Sequence, residues 1–364
     1  MKRLWIRVRY GLCLAALLSV MILPVRAAAL PEDLRDALPE EAEALLRDAD
    51  FSGAAGLSAG VEEILNHVGR QAGDVLRMRV RSAALVLLAV VLCGAAESFY
   101  QGTGNRVRFL PMAGALAVTA LTAGSLDSLM GLGTVTVSQL SDFSRVLLPT
   151  MAAAAAAAGG VTSAAFHQIT TVFFADLLIE LIHGFLMPMV YLYAGAITAA
   201  AMLSENRLGA IAEALKKLIT WVLTGSLLLF TVYLSVVRVI AGSADSAALK
   251  VTKAAISGVV PVVGSILSEA SETVLAGAGM LKNTVGVFGT LAILAACAHP
   301  FLQLGVQYLL YKLTAFLAAA VGTPGLCRLI DGLGGAFGLV LGMTGSCALL
   351  LLISVLSSVA AVTG

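Results

Sequence analysis

Charged residues are scarce in this chain. Only 12% of its 364 residues are Asp, Glu, Lys or Arg and 6% are aromatic, whereas 59% are hydrophobic. Soluble domains are about one quarter charged, so this composition excludes a water-soluble globular protein. The net charge is only +1, and the sequence has no basic run with interleaved aromatic residues, which argues against a nucleic-acid surface. The partners to expect are the lipid bilayer and other membrane proteins.

Sequence motifs for chemistry are also missing. The chain has no G-x-x-x-x-G-K-[ST] phosphate loop, no H-E-x-x-H pair and no C-x-x-C pair. These absences exclude ATP hydrolysis by a phosphate loop and the common zinc-protease helix. The five cysteines are scattered in or beside apolar runs, where cysteine behaves as a small hydrophobic residue. We therefore expect a non-enzymatic protein with no cofactor and no structural disulfide.

The first 29 residues have the pattern of a signal peptide. A basic start (Lys2 to Arg9) precedes an apolar stretch from Leu12 to Leu23, and Ala27 to Ala29 form a small-residue cleavage site. Twelve apolar residues are too few to cross a hydrocarbon core of roughly 30 Å. The alternative is a short anchor that is not cleaved. In either case the chain from Leu30 onward starts outside the cytoplasm.

Residues 30–81 form an acidic segment. Residues 30–80 contain eleven acids and five arginines, and the apolar positions recur at helical spacing on both sides of Ser52 to Gly60. The pattern predicts two short amphipathic helices joined by a linker over Ser52 to Gly60. About 50 residues bury little core alone, so this extracytoplasmic segment either packs on the membrane domain or a partner, or is a solvated spacer.

Residues 82–364 are predicted to be an all-α, polytopic membrane domain. A span needs roughly 20 residues, so the 35-residue and 38-residue runs are each two helices or one span with a re-entrant piece. Pro188 and Pro300 lie where those two runs would bend. We count about seven spans, possibly up to nine, and the positive charges do not fix their orientation. The apolar runs are Ser82 to Ala96, Leu110 to Met130, Val146 to Ala165, Ile169 to Leu203, Leu218 to Ala241, Thr284 to Val321 and Gly335 to Val362.

One apolar run contains a polar stripe. Asp176, Glu180 and His183 are spaced i, i+4 and i+7, which places them on one face of a helix. Ionisable groups at bilayer depth usually face a bundle interior or a water-filled path, so these residues are a candidate relay or path lining. An interfacial amphipathic helix is the second interpretation. A metal or catalytic site is the third, although the second Glu-x-x-His copy of a di-metal site is missing.

Two further patterns concern helix surfaces. An amphipathic or re-entrant helix is predicted near residues 255–280, with an ordinary surface helix as the alternative. Glycines at four-residue spacing predict a close helix-packing face. The polar stripe of the amphipathic helix is Ser265, Ser268, Glu269 and Glu272, and the packing glycines are Gly334, Gly338 and Gly342.

The stretch from Tyr233 to Asn283 resembles the stage III sporulation protein AE family. The resemblance rests on the Ala-Gly-Ser-Ala-Asp sequence of Ala241 to Asp245, interpreted as a turn, on the Lys250-x-x-Lys253 step, and on the run from Val259 to Gly264. The signal peptide, the acidic segment and the multi-span remainder agree with the layout of that family, so the resemblance covers essentially the whole chain.

This resemblance implies a subunit of the channel complex that links mother cell and forespore during endospore development. It implies a place in the outer forespore membrane, beside other membrane proteins of the complex, a separate ATPase and a forespore-side partner. No catalytic residue is carried over. The alternative function is a stand-alone ion-coupled secondary transporter in which Asp176, Glu180 and His183 carry the proton.

Overall fold

The computed structural model of the chain describes residues 32–47, 49, 51, 53–101, 109–203, 206–259, 264–320 and 324–360. The predicted signal peptide, residues 1–29, lies outside these residues. All regular secondary structure in the described ranges is helical. The elements are α1 (Glu32–Asp36), α2 (Glu40–Leu46), α3 (Gly53–Gln101), α4 (Phe109–Ala157), α5 (Val161–Leu181), a π-helical turn (Ile182–Leu186), α6 (Met187–Leu203), α7 (Asn206–Val259), α8 (Gly264–Ala318) and α9 (Pro324–Ala360).

Six helices in the described residues are long and apolar enough to cross a membrane, with α5, the π-helical turn and α6 counting as one. Their candidate spans contain 36 to 48 residues. At 1.5 Å per residue these spans are about 54 to 72 Å long, well beyond the hydrocarbon core. Each helix therefore tilts strongly or continues outside the core. The all-α membrane class is supported, and the expected count of seven to nine spans is not confirmed.

The six helices run alternately up and down. At one end of the bundle, Gly114 near the start of α4 lies against Cys93 of α3 and Leu326 of α9. At the other end, Asp245 of α7 contacts the first residues of α5. Helices α8 and α9 form the centre, because 67% and 61% of their most apolar windows are buried, against 22% to 39% for the other four.

A glycine pair ends α4 and corrects one predicted span. Gly159 has φ +95°, the left-handed conformation that glycine adopts without strain. The Gly160 amide donates to the Ala155 carbonyl at 2.9 Å, and the Gly159 amide donates to Ala156 at 3.0 Å, the bond pattern of a Schellman C-cap. The predicted span Val146 to Ala165 is therefore wrong, since this turn divides it between α4 and α5.

Neither predicted proline break interrupts its helix. Pro188 lacks an amide proton, and in an α-helix its ring would crowd the carbonyl of Gly184. The π-helical turn directly before Pro188 widens the helix and makes room for the ring. The Met187 amide consequently donates to the carbonyl of Ile182, five residues earlier. Pro300 lies inside the continuous helix α8. The run from Ile169 to Leu203 thus lies in one continuous helical segment, and residues 284–318 of the other run lie in α8.

Three local predictions are also corrected. The predicted linker after Ser52 is helical from Gly53 onward, so α3 runs without a break through residue 81 into the first apolar run. The predicted turn at Ala241 to Asp245 lies inside α7. The predicted separate helix near 255–280 consists of the last residues of α7 and the first part of the long helix α8, while residues 260–263 lie outside the described residues.

The acidic segment packs on the membrane bundle. Leu34 of α1 and Ala42 of α2 are fully buried, and Leu46 is nearly so. The rings of Phe51 and Phe288 meet edge to face, with their centroids 5.2 Å apart. These contacts attach α1 and α2 to the same end of the bundle as the turn between α4 and α5.

At this end of the bundle, two charged side chains form hydrogen bonds to the termini of neighbouring helices. The buried Asp245 carboxylate accepts the backbone amides of Thr162 and Ser163, both at 2.8 Å, so α7 supplies the N-terminal cap of α5. The buried Lys282 ammonium donates to the Val359 carbonyl of α9 at 2.9 Å. A cation at a helix C-terminus is the favourable arrangement for the helix dipole.

Candidate functional site

A row of polar side chains lies between α3 and α8. On α3 every fourth residue from His67 to Arg79 lies on this face, and all of them are polar except Val75. On α8 the polar residues recur every four positions from His299. Four-residue spacing keeps side chains on one helix face, and the structure turns these two faces toward each other. We call this row the polar seam: His67, Gln71 and Arg79 of α3 with His299, Gln303, Gln307 and Tyr311 of α8.

Hydrogen bonds connect five members of the polar seam. The Arg79 guanidinium donates to Gln303 Oε1 at 2.7 Å, and Gln303 Nε2 contacts His299 Nε2 at 2.6 Å. His299 Nδ1 lies 3.5 Å from Gln71 Oε1, and Gln71 Nε2 lies 2.8 Å from His67 Nε2. The connected row therefore crosses twice between α3 and α8.

All four bonds can be assigned one direction. Arginine is a donor only, so Gln303 must present its oxygen to Arg79 and its NH₂ group to His299. His299 then accepts at Nε2 and donates from Nδ1 to the Gln71 oxygen. The Gln71 NH₂ group in turn donates to His67 Nε2. The network thus assigns both imidazoles as neutral Nδ1–H tautomers.

Further polar side chains continue toward the opposite end of the bundle. The Tyr311 hydroxyl lies 3.0 Å from the Thr122 hydroxyl of α4, which donates its own proton to the Val118 carbonyl. One turn along α4, Thr119 lies 3.2 Å from Thr198 of α6. The polar side chains therefore reach from α3 through α8 and α4 to α6.

The inner part of the polar seam contains unsatisfied groups. Gln307 is fully buried, and neither its amide nitrogen nor its amide oxygen has a hydrogen-bond partner within the described structure. The Arg79 Nε atom is also buried without one. Leaving a buried donor or acceptor unpaired costs about 1–3 kcal/mol, so a polar occupant at this position is strongly favoured.

A cavity of about 830 Å³ opens at the outer end of the polar seam. His67, Gln71 and His299 line it, and the carboxylates Glu41 and Glu63 lie at its wall. Helix α2 covers one side of the cavity through Glu41 and Leu45. In the part of the chain that the structure describes, no group of three or more His, Cys, Asp and Glu residues is arranged to hold a metal ion.

The stripe predicted from the sequence lies elsewhere. Asp176 and Glu180 of α5 and His183 of the π-helical turn are all exposed, on the outer surface of the bundle. Apolar side chains surround them, with Phe173 60% and Leu177 50% exposed. The stripe therefore does not line an interior path of this chain, and the structure does not bring it together with the polar seam.

The predicted packing glycines divide into two groups. A Cβ atom at Gly334 would lie 3.0 Å from Tyr311 Cβ, and one at Gly338 would lie 3.0 Å from the Tyr308 ring, so both face α8 closely. Gly342 is exposed and would meet only Leu223, at 3.9 Å. For the amphipathic stripe (Ser265, Ser268, Glu269 and Glu272) the structure describes the helical backbone but not the side chains.

Sequence reasoning missed the polar seam. The sequence pattern indicated a bend at Pro300, next to His299, and Arg79 was not among the predicted site residues. The available signal was the four-residue spacing of polar residues on α8 inside an otherwise apolar helix. Its counterpart on α3 becomes visible once residues 53–101 are known to form one helix.

The fold and the polar interior define a polytopic α-helical membrane protein. The family model for stage III sporulation protein AE matches residues 50–362, and the chain belongs to this family. It is 25% identical over 251 residues to the stage III sporulation protein AE of Bacillus subtilis (strain 168). That match covers 68% of this chain and 61% of the relative. No solved structure matches the chain.

Proposed function

We propose that the chain is a non-enzymatic membrane subunit of the channel complex that links mother cell and forespore. Family membership supports a role in sporulation. The structural observation that supports assembly is the exposed stripe of Asp176, Glu180 and His183 among apolar side chains. A charged side chain at the bilayer centre costs about 2.5–3.5 kcal/mol or more when lipid surrounds it. A polar surface of another membrane protein is therefore the natural cover for this stripe.

The proposal includes a location and an orientation. The chain lies in the outer forespore membrane, beside a separate ATPase and a forespore-side partner. If the predicted signal peptide places Leu30 outside the cytoplasm, then the bundle end that carries α1 and α2 faces the space between the two forespore membranes. The cavity beneath α2 opens on the same side.

A site-specific photo-crosslinker tests the assembly. We expect a crosslinker at Glu180 to capture another membrane protein of the complex in sporulating cells, and affinity purification of the tagged chain to recover the ATPase. Trp221 is the matched control, because it is 74% exposed on the apolar surface of α7 and should yield mainly lipid adducts. The proposal would be contradicted if the crosslinker at Glu180 captured no protein and the tagged chain purified alone.

A stand-alone ion-coupled secondary transporter is the second proposal. The observation that favours it is the polar seam, which gives this single chain a polar interior of its own. In this case purified protein in liposomes should move solute in a pH-dependent manner without other subunits. Loss of that transport on His299→Gln in the polar seam, with the protein still correctly inserted, would favour the transporter over the complex subunit.

A further inference from the structure

Gln307 is the feature of the polar seam that remains unexplained by its contacts. It is fully buried, and its amide nitrogen and oxygen have no partner in the described part of the chain. Arg79, whose Nε atom is also unpaired, contacts Gln303 one turn earlier on α8. Buried polar groups of this kind are normally satisfied by ordered water when the site is polar and has room for it.

We propose that the polar seam is a water-filled path through the chain that admits small hydrophilic solutes and favours anions over cations at its inner end. Water at Gln307 supplies the missing hydrogen bonds. The entrance is the cavity of about 830 Å³ at His67 and His299. The inference concerns the chain itself, whether it works in the channel complex or alone.

The continuity of polar groups supports a path rather than an isolated pocket. Hydrogen bonds run from His67 to Arg79 without a gap. Beyond Arg79, the Tyr311 and Thr122 hydroxyls form the next link, and the Thr119 and Thr198 hydroxyls the one after it. These two links lie on α8, α4 and α6, so the polar groups approach the bundle end opposite to the cavity.

The charges along the path change from its mouth to its interior. The mouth carries the carboxylates of Glu41 and Glu63, and the Arg70 guanidinium pairs with Glu63 at 3.0 Å. Arg79 is the charged member of the polar seam, and its hydrogen-bond partner Gln303 is neutral. A fixed guanidinium in a narrow polar passage repels cations, as in membrane pores that use an arginine as an electrostatic barrier. The interior should therefore favour negatively charged solutes, whereas the mouth should not.

Thiol accessibility tests this proposal. Gln307→Cys and Leu304→Cys are made in a chain whose native cysteines are replaced by alanine, and native membranes are treated with methanethiosulfonate reagents of similar size and opposite charge. Leu304 is the matched control, because it is fully buried on the same part of α8 outside the polar seam. We expect the thiol at position 307 to react and the one at 304 not to react.

The charge preference has its own measurement. At position 307 the negative sulfonatoethyl reagent should react on the order of tenfold faster than the positive trimethylammonioethyl reagent, because of the Arg79 charge. Arg79→Gln should remove that preference. A thiol at position 71, near the Glu63–Arg70 pair at the mouth, should show a weaker preference.

Two results would overturn the inference. If position 307 is as unreactive as position 304, the polar seam is closed packing without a water path. If position 307 reacts equally with both reagents and Arg79→Gln changes nothing, the anion preference is wrong. Should the cysteine-free chain fail to fold, the same substitutions are measured in the native chain and the native rate is subtracted. Copurification plays no part in this assay, so the complex and the path can fail separately.

Discussion

Removing the Asp245 carboxylate should destabilise the bundle at the end where α4 turns into α5. In the structure both carboxylate oxygens accept backbone amides, from Thr162 and Ser163, and the side chain is 8% exposed. A helix N-cap contributes about 0.5–2 kcal/mol, and hydrogen bonds to charged groups contribute about 1.5–3 kcal/mol each. Because the two bonds share one carboxylate, we expect Asp245→Ala to lower the free energy of unfolding by about 2–4 kcal/mol.

The assay is thermal unfolding of the purified chain in detergent, with the exchange rates of the Thr162 and Ser163 amides as a local measurement. At about 2.1 cal/mol/K of unfolding entropy per residue, 1 kcal/mol shifts the Tm of a 364-residue chain by about 1.3 °C, so Asp245→Ala should lower Tm by about 3–5 °C. Asp245→Asn keeps one acceptor oxygen and should have about half the effect.

Asp127 provides the control, because this exposed carboxylate accepts only a long 3.3 Å hydrogen bond from Tyr191. Asp127→Asn should change the free energy of unfolding by less than about 0.5 kcal/mol. The reasoning is refuted if Asp245→Ala unfolds at the temperature of the unmodified chain. It is equally refuted if the amides of Thr162 and Ser163 exchange no faster after the substitution.

Four further substitutions have defined outcomes. Gly338→Ala should cost about 1–3 kcal/mol of stability by overpacking against Tyr308. Gly342→Ala should be neutral or slightly stabilising, because its Cβ would make only an ordinary contact with Leu223 at 3.9 Å. Thermal unfolding in detergent compares the pair. Tyr311→Phe should cost about 1 kcal/mol or more in the same assay, since it removes the buried hydrogen bond to Thr122. Glu180→Gln should leave the unfolding of the isolated chain unchanged within about 0.5 kcal/mol, because the side chain is exposed, while reducing partner recovery from sporulating cells.

The membrane class and the helical fold follow from composition and hydropathy, because backbone groups in lipid are satisfied inside helices. The helix boundaries do not follow from hydropathy. The stretch from Gly131 to Arg145 is rich in Thr and Ser and lies between two of the predicted apolar runs. In the structure α4 continues through it, and the Thr134 and Thr136 hydroxyls are satisfied by donating to carbonyls one turn earlier, at 2.9 and 2.8 Å. Polar residues that bond within their own helix lower the hydropathy without ending the helix.

The candidate site was harder to predict than the fold. A stripe on one helix, such as Asp176, Glu180 and His183, can be recognised from spacing alone. Spacing does not say whether that face points inward or outward, and here it points outward. The polar seam needs two helices whose faces meet, and His67 and His299 are separated by 232 positions in the sequence. Pairing of this kind depends on tertiary packing, which a single sequence does not specify.

The common direction of the hydrogen bonds from Arg79 to His67 makes the polar seam sensitive to a single added proton. A protonated His299 donates from both ring nitrogens, so Gln303 can no longer point its NH₂ group at the ring. If the amide turns round to accept, its NH₂ group faces the Arg79 guanidinium, and two donors then oppose each other. Protonation at the cavity therefore acts on the Arg79 contact about one helical turn deeper in the bundle. The row of amides therefore links the hydrogen bonds at the mouth to the Arg79 contact inside the bundle.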